Sequence, residues 1–278
     1  MGKLSPRSIH KIRLREYIGV FKLHSMRSRI LPLLLAVILF SCSSPEKQTP
    51  ELDPDFEKVL TAHGDWEKWI DAESFSFTLF HETNKTQENH FIDLKSRKNR
   101  IDAESFQIGN DGEKLWVSPN REAYSGRSVR FYHNLYFYFF GIPYIFTDPG
   151  VQVEKVANRT LNGISYETLQ ASFESGTGDS PDDIYYLLIH PETQRLEWLL
   201  YKVTYFNPEN DSFNALKYED YRDAGGLVFP RILTGYTLEG DSTGSIRYQV
   251  SFGDVLLQEE PLDKAFFEMP ENGVVAED

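Results

Sequence analysis

The stretch Phe131–Phe146, FYHNLYFYFFGIPYIF, sets the terms on which this chain can fold: nine of its sixteen residues are aromatic and none is Lys, Arg, Asp or Glu. Aromatic side chains carry on the order of 150 Å² or more of surface each, so the segment is stable only where neighbouring structure covers nearly all of it. A membrane span is excluded. A helix needs about 20 continuous apolar residues to cross a bilayer, and Gly141 and Pro143 interrupt the run. From Val129 to Phe140 the apolar residues go right round a helical projection, as in a helix covered on every side. Ser128 is placed to cap its start, and Gly141 with Pro143 to end it. The rest of the chain must supply a wall for this helix.

Of the 278 residues, the first forty or so read as a leader rather than as part of the fold. Ile30–Phe40 is an uninterrupted apolar run behind Arg27 and Arg29, the length of a signal-peptide core and too short to span a membrane as a helix. Residues 1–41 are therefore expected to be removed, with Met26 as the expected start of the compact signal. The one cysteine of the chain, Cys42, follows at once, and Leu39-Phe40-Ser41-Cys42 resembles a bacterial lipobox, in which the cysteine becomes the acylated first residue. Residues 42–53 read as a polar, lipidated tether with two prolines. The leader holds eight of the 29 basic and one of the 42 acidic residues, so residues 42–278 carry 21 and 41, a net −20. That charge disfavours phosphate-backbone binding to nucleic acid, and no nucleic-acid partner is expected. It also leaves attachment to a membrane to the acyl chains on Cys42.

Beyond the tether the period of the apolar residues changes twice. Phe56, Val59, Leu60, His63, Trp66, Trp69 and Ile70 recur at helical spacing after Pro54. From Ser74 the period is two, with Phe75, Phe77 and Leu79 alternating with polar residues. Strands are then expected over 89–94, 99–108 and 114–118 before the aromatic helix. After it they are expected over 151–156, 164–173, 184–190, 196–205, 216–221, 227–236 and 246–256, with Asn162-Gly163 as a hairpin turn. Two helical segments beside about ten strands at short spacing predict a mainly β, α+β domain over residues 54–270. Its expected form is a strongly curved antiparallel sheet with the aromatic helix in its concave face and a short tail at 271–278.

Signatures of catalysis are absent. None of the five histidines beyond the leader, His63, His81, His90, His133 and His190, stands in a metal-ligand spacing, and there is no GxSxG or P-loop. Asp179, Asp182 and Asp183 lack the EF-hand pattern and read as a solvated acidic loop. No enzyme activity, cofactor or metal is expected.

Several stretches, in order, carry a resemblance. They are the lipobox, the His63-Gly64 helix, Asp111–Trp116, the aromatic segment with Thr147–Gly150, His190–Thr193, Tyr218–Pro230 and Pro261–Pro270. Together they resemble a family of Gram-negative bacterial lipoproteins related to the lipoprotein carriers LolA and LolB, although Asp65 stands where the pattern has a second glycine. The resemblance implies a half-barrel of eleven strands whose concave face is covered by helices, with acyl chains held between the two layers, in an outer membrane lipoprotein of the cell envelope. On that footing Phe75, Phe77, Trp116, Tyr136, Phe139, Phe140 and Tyr144 are expected to line a pocket for a lipid, a lipoprotein acyl chain or another hydrophobic ligand. The alternative is a scaffold lipoprotein in which the same residues fill a solid core and the outer face binds another envelope protein.

Overall fold

A computed structural model describes residues 52–174 and 183–276 of the chain. The leader, Cys42 and the tether up to residue 51 lie outside the described residues, as do Asp179 and Asp182. The strands before the aromatic segment are β1 (Ser74–His81), β2 (Thr86–Asp93), β3 (Asn99–Ala103), β4 (Gln107–Asn110) and β5 (Leu115–Ser118). After it come β6 (Val151–Leu161), β7 (Ile164–Phe173), β8 (Tyr185–Ile189), β9 (Leu196–Tyr201), β10 (Asn214–Ala224), β11 (Leu227–Glu239), β12 (Ser242–Gln258) and β13 (Val274–Val275). They form one sheet in the order β13-β5-β4-β3-β2-β1-β12-β11-β10-β9-β8-β7-β6, which is not closed.

The expected strands are present with shifted ends, β6, β10, β11 and β12 running longer and β9 stopping at Tyr201, and two further changes alter the sheet. The run 99–108 is two strands, because Glu104 to Phe106 turn the chain back on itself and Asn99 pairs with Asn110. The expected tail contributes β13, where Val274 and Val275 pair with Val117 and Trp116. Each main-chain group placed there gains a partner that water would otherwise supply.

This order explains the aromatic segment. The chain leaves β5 near one edge of the sheet and re-enters it at β6, the opposite edge, so residues 119–150 must run across a face. They do so strand by strand. Tyr132 Oη donates to Glu88 of β2 at 2.7 Å, and Tyr136 meets His81 of β1 edge to face. Phe140 stacks on Phe252 of β12 with ring centroids 3.9 Å apart and packs on Phe77 of β1 and Phe229 of β11. Tyr218 of β10 donates its hydroxyl to the Phe139 carbonyl at 2.8 Å, and the Phe139 ring meets Tyr201 of β9. Phe146 finishes against Tyr185 of β8 and Phe173 of β7. Inward-facing strand positions that alternate in sequence thus meet one continuous aromatic ribbon.

Both expected helices are broken. The first is α1 (Pro54–Ala62) followed by α2 (Glu67–Asp71). Asp53 caps α1 through hydrogen bonds from the amides of Asp55 and Phe56. The break falls at Gly64, whose φ of +105° only glycine adopts readily and whose missing Cβ would lie 2.2 Å from the Gly226 carbonyl oxygen. The aromatic helix is α3 (Val129–Tyr132) and α4 (Leu135–Gly141). Ser128 caps α3 as expected, accepting from the Phe131 amide at 3.0 Å. The helix does not run on, because the His133 ring takes up the Arg130 carbonyl and Asn134 turns aside to bond Asn99 of β3. Polar side chains that find such local partners compete with the helical ladder.

The opposite face of the sheet is covered at two places. At one end Phe266 and Phe267, in a short 3-10 turn, lie against Arg100 and Trp116. At the other, the tips of the β6–β7 and β11–β12 hairpins touch: the Asn162 amide donates to the Asp241 carbonyl at 2.8 Å and the Thr243 amide to Asn162 Oδ1 at 2.9 Å. Four strand spacings separate β7 from β11 along the sheet, about 19 Å if it were flat, so the hairpins bend strongly to meet. Beneath them Leu161, Tyr166, Leu188, Trp198, Leu200 and Ala215 form a second small core.

Candidate functional site

The seven aromatic residues expected to line a pocket separate into three groups. Phe75, Phe77, Tyr136, Phe140 and Tyr144 are buried members of the main core. Phe140, with no exposed surface, has Phe75, Phe77, Phe229 and Phe252 around its ring. Tyr144 is fixed by its hydroxyl, which donates to the His63 carbonyl at 2.6 Å. Burial holds its phenol pKa well above the ordinary range. Trp116 does not belong with them at all. It faces the other side of β5, where its indole fills the space left by Gly109 and its Nε1 donates to the Phe267 carbonyl at 2.9 Å. Strand alternation explains the error, since Leu115 and Val117, not Trp116, point to the helix side with Val129. Phe139 also belongs to the main core, 7% exposed, but alone of the seven it lines a cleft as well.

That space is a partly open cleft of about 1280 Å³, larger than the ~300–1,000 Å³ usual for small-molecule sites. One wall is Phe131, Leu135, Tyr138, Phe139 and Ile142, spaced as one helical face, and the other is Phe173, Tyr185 and Tyr201 on adjacent strands β7, β8 and β9. Phe146 closes the inner end, while Val203 and Tyr205 follow β9 along the rim. The Phe131 ring rests on Tyr205 and Phe206, at 5.3 and 4.8 Å between centroids. Burial raises the phenol pKa values of Tyr185 and Tyr201, so both remain neutral donors within an apolar wall. Asp183, from the acidic loop, accepts from Thr204 at 2.7 Å beside them.

At the α2 end the cleft turns polar. Arg97 pairs with Asp148, and Lys95 donates to the Ile70 carbonyl at 2.6 Å. Burial pushes the Asp148 carboxyl above its ordinary value against the pull of Arg97 and Lys95. No local pattern marks these residues as site partners. Arg97 is in the β2–β3 turn and Asp148 follows α4, fifty-one positions on, so only folding brings them together.

A second polar cluster is enclosed by the core. Glu88, 4% exposed, accepts from Tyr132 at 2.7 Å and lies 3.0 Å from His90 Nε2 and 3.2 Å from His81 Nε2. Burial pushes its carboxyl up, but the hydrogen bonds from His81, His90 and Tyr132 and the charge of His90 outweigh this and hold it at about 2. The cluster pins α3 to β2. Among the described residues no group of three or more His, Cys, Asp or Glu is arranged to hold a metal ion.

Fold and cleft together define an open antiparallel sheet crossed by an aromatic segment, with a ligand-sized space beside it. Residues 110–233 match the model of a family of unknown function, DUF6503. No curated protein matches the chain in sequence. Among solved structures, the chain is similar to a LolA superfamily protein from Nitrosomonas europaea, at 11% identity and a TM-score of 0.47 over 76% of this chain and 96% of that one. It is similar to a DUF1329 family protein from Desulfovibrio piger at 10% identity and a TM-score of 0.47, over 77% and 95% of the two chains. An outer membrane lipoprotein-sorting protein domain from Vibrio parahaemolyticus is similar at 8% identity and a TM-score of 0.40, over 76% and 97%.

Proposed function

We propose that this chain is a membrane-tethered, non-enzymatic envelope lipoprotein that binds a hydrophobic ligand, an acyl chain of a lipid or lipoprotein, in the cleft between α4 and strands β7–β9. In this reading the sheet is a half-barrel curled around the aromatic segment, and acylated Cys42 holds the domain at the membrane. The observation that carries the proposal is the cleft itself. A space of about 1280 Å³ walled by aromatic and aliphatic side chains on both sides costs the fold contacts that a filled core would make, and an acyl chain would restore them. A tethered protein cannot carry cargo freely, so reception or local handover fits better than shuttling.

The scaffold reading draws on a different observation, the solid packing beneath Phe140. It expects the cleft to stay empty. Uptake of a neutral, polarity-sensitive dye such as phenylnaphthylamine by the purified domain, with native mass spectrometry for co-purified lipid, separates the two. Saturable dye uptake that Tyr138→Trp reduces supports the cleft. A domain that takes up no dye and carries no lipid overturns the ligand reading.

A further inference from the structure

The chain as a whole is strongly acidic, with a net charge of −13, yet the cleft is not. Among the described residues its ionic lining is four cations, Lys95, Arg97, Arg130 and Lys202, the last paired with Asp211 at 2.8 Å, against two carboxylates, Asp148 and Asp183. Two of the cations, Lys95 and Arg97, are grouped with Asp148 at one end, next to the apolar trough lined by Leu135, Tyr138 and Phe139. The Arg97 guanidinium lies over the Phe137 ring and pairs through Nη2 with Asp148, while Nη1 is buried with no hydrogen-bond partner among the described residues. A buried donor on a cation needs an acceptor, from water or from a ligand. Resting on the reading that the trough takes an acyl chain, we propose that the ligand is an anionic amphiphile whose carboxylate or phosphate head is bound at Arg97 and Lys95.

Arginine suits this role, because its planar fork can hold two acceptors at once. An entering head group shares or displaces Asp148, turns the fork so that both Nη atoms are bonded, and leaves its chain along the aromatic wall. The charge contrast also favours approach of an anion to this mouth over the rest of the surface.

The test uses three ligands of equal chain length, dodecanol, dodecanoate and dodecyl phosphate, each displacing phenylnaphthylamine from the domain below its micelle concentration. Wild type should bind at least one anion about ten- to a hundredfold more tightly than the alcohol, the range for a hydrogen bond to a charged group, and the stronger of the two identifies the head group. Arg97→Gln should bring that anion to within a few-fold of dodecanol measured on the same variant, while Arg97→Lys retains part of the preference. Asp148→Asn should raise the ratio of anion to dodecanol affinity. If Arg97→Gln fails to fold around an unpaired Asp148, the double variant Arg97→Gln with Asp148→Asn removes both charges and gives the same readout. Equal binding of all three ligands by wild type overturns the anionic head group and leaves the acyl-chain reading intact. A preference that survives in Arg97→Gln or the double variant overturns the assignment to Arg97. Failure of dye and all three ligands to bind overturns the acyl-chain reading and this inference with it.

Discussion

Phe139 and Phe140 are neighbours with opposite fates. Phe140 stacks on Phe252 and has no exposed surface, so Phe140→Ala should cost about 3–5 kcal/mol, the range for an aromatic removed from a packed core. Phe139, 7% exposed, belongs to the same core but also lines the cleft, and on the proposed reading Phe139→Ala should cost clearly less while altering dye uptake. Chemical denaturation of both variants checks the order; equal losses would mean that the cleft wall is packed like the core. A second residue-scale prediction concerns His63. Burial, with the Arg195 charge, depresses its pKa from 6.5 to about 4, against a hydrogen bond to the Val59 carbonyl. The unfolded chain therefore takes up a proton near pH 6.5 that the folded chain refuses until about pH 4. Stability is full above 6.5 and falls by about 3 kcal/mol as the pH drops to 4. Glu88, held at about 2, acts in the same direction lower down: its contribution is present above its ordinary value of 4.5 and is lost as the pH falls towards 2. Urea midpoints from pH 7 to 3 should show the first loss, and His63→Gln should flatten the slope between 6.5 and 4.

At the scale of elements, the turn of the β6–β7 hairpin ties together parts of the sheet that strand pairing keeps apart. Asn162 has φ +53° and Gly163 φ +78°, the conformation that Asn-Gly favours in a two-residue hairpin. Its side chain also receives the Thr243 amide. Asn162→Ala should cost about 1–2 kcal/mol, from lost bonding and an unfavourable φ, whereas Asn162→Gly loses only the bonding and should cost less. Thermal unfolding of the two variants distinguishes these terms; equal effects would show that the bridge to Thr243 alone matters. The break between α3 and α4 belongs to the same scale. On its two sides Tyr132 bonds Glu88 on β2 and Phe140 stacks on Phe252 of β12.

At the scale of the whole molecule, the proposed tether places an acidic domain at a membrane through acyl chains on Cys42 alone. Residues 42–278 have a net charge of −20, which anionic lipid repels. Lipid chains contribute about 0.8 kcal/mol per buried CH₂, and two or more are needed for stable anchoring. Cys42→Ser should therefore move a folded domain into the soluble fraction, as read by fractionation and by unchanged thermal unfolding. Tight membrane association of that variant would point to a protein partner or an apolar surface as the anchor.

The sequence alone determined the β class of the fold, most of its strands, the Ser128 cap and the Asn162-Gly163 turn. Each is a local matter, set by alternation, capping chemistry or backbone preference within a few residues. It also marked the aromatic segment as something to be covered, because no local arrangement could bury nine rings. What it could not determine was which side of that segment meets which strand. Trp116 and Val117 differ by one position and face opposite sides of the sheet, and Phe139 and Phe140 divide between cleft and core in the same way. The cleft exists because β7, β8 and β9 come to lie beyond the open side of α4. Its polar end exists because a turn at Arg97 and a loop at Asp148 meet across the crossing segment. Those juxtapositions depend on strand order and on where the two helices break, and both were decided by contacts between residues far apart in the chain, which only the tertiary structure brings together.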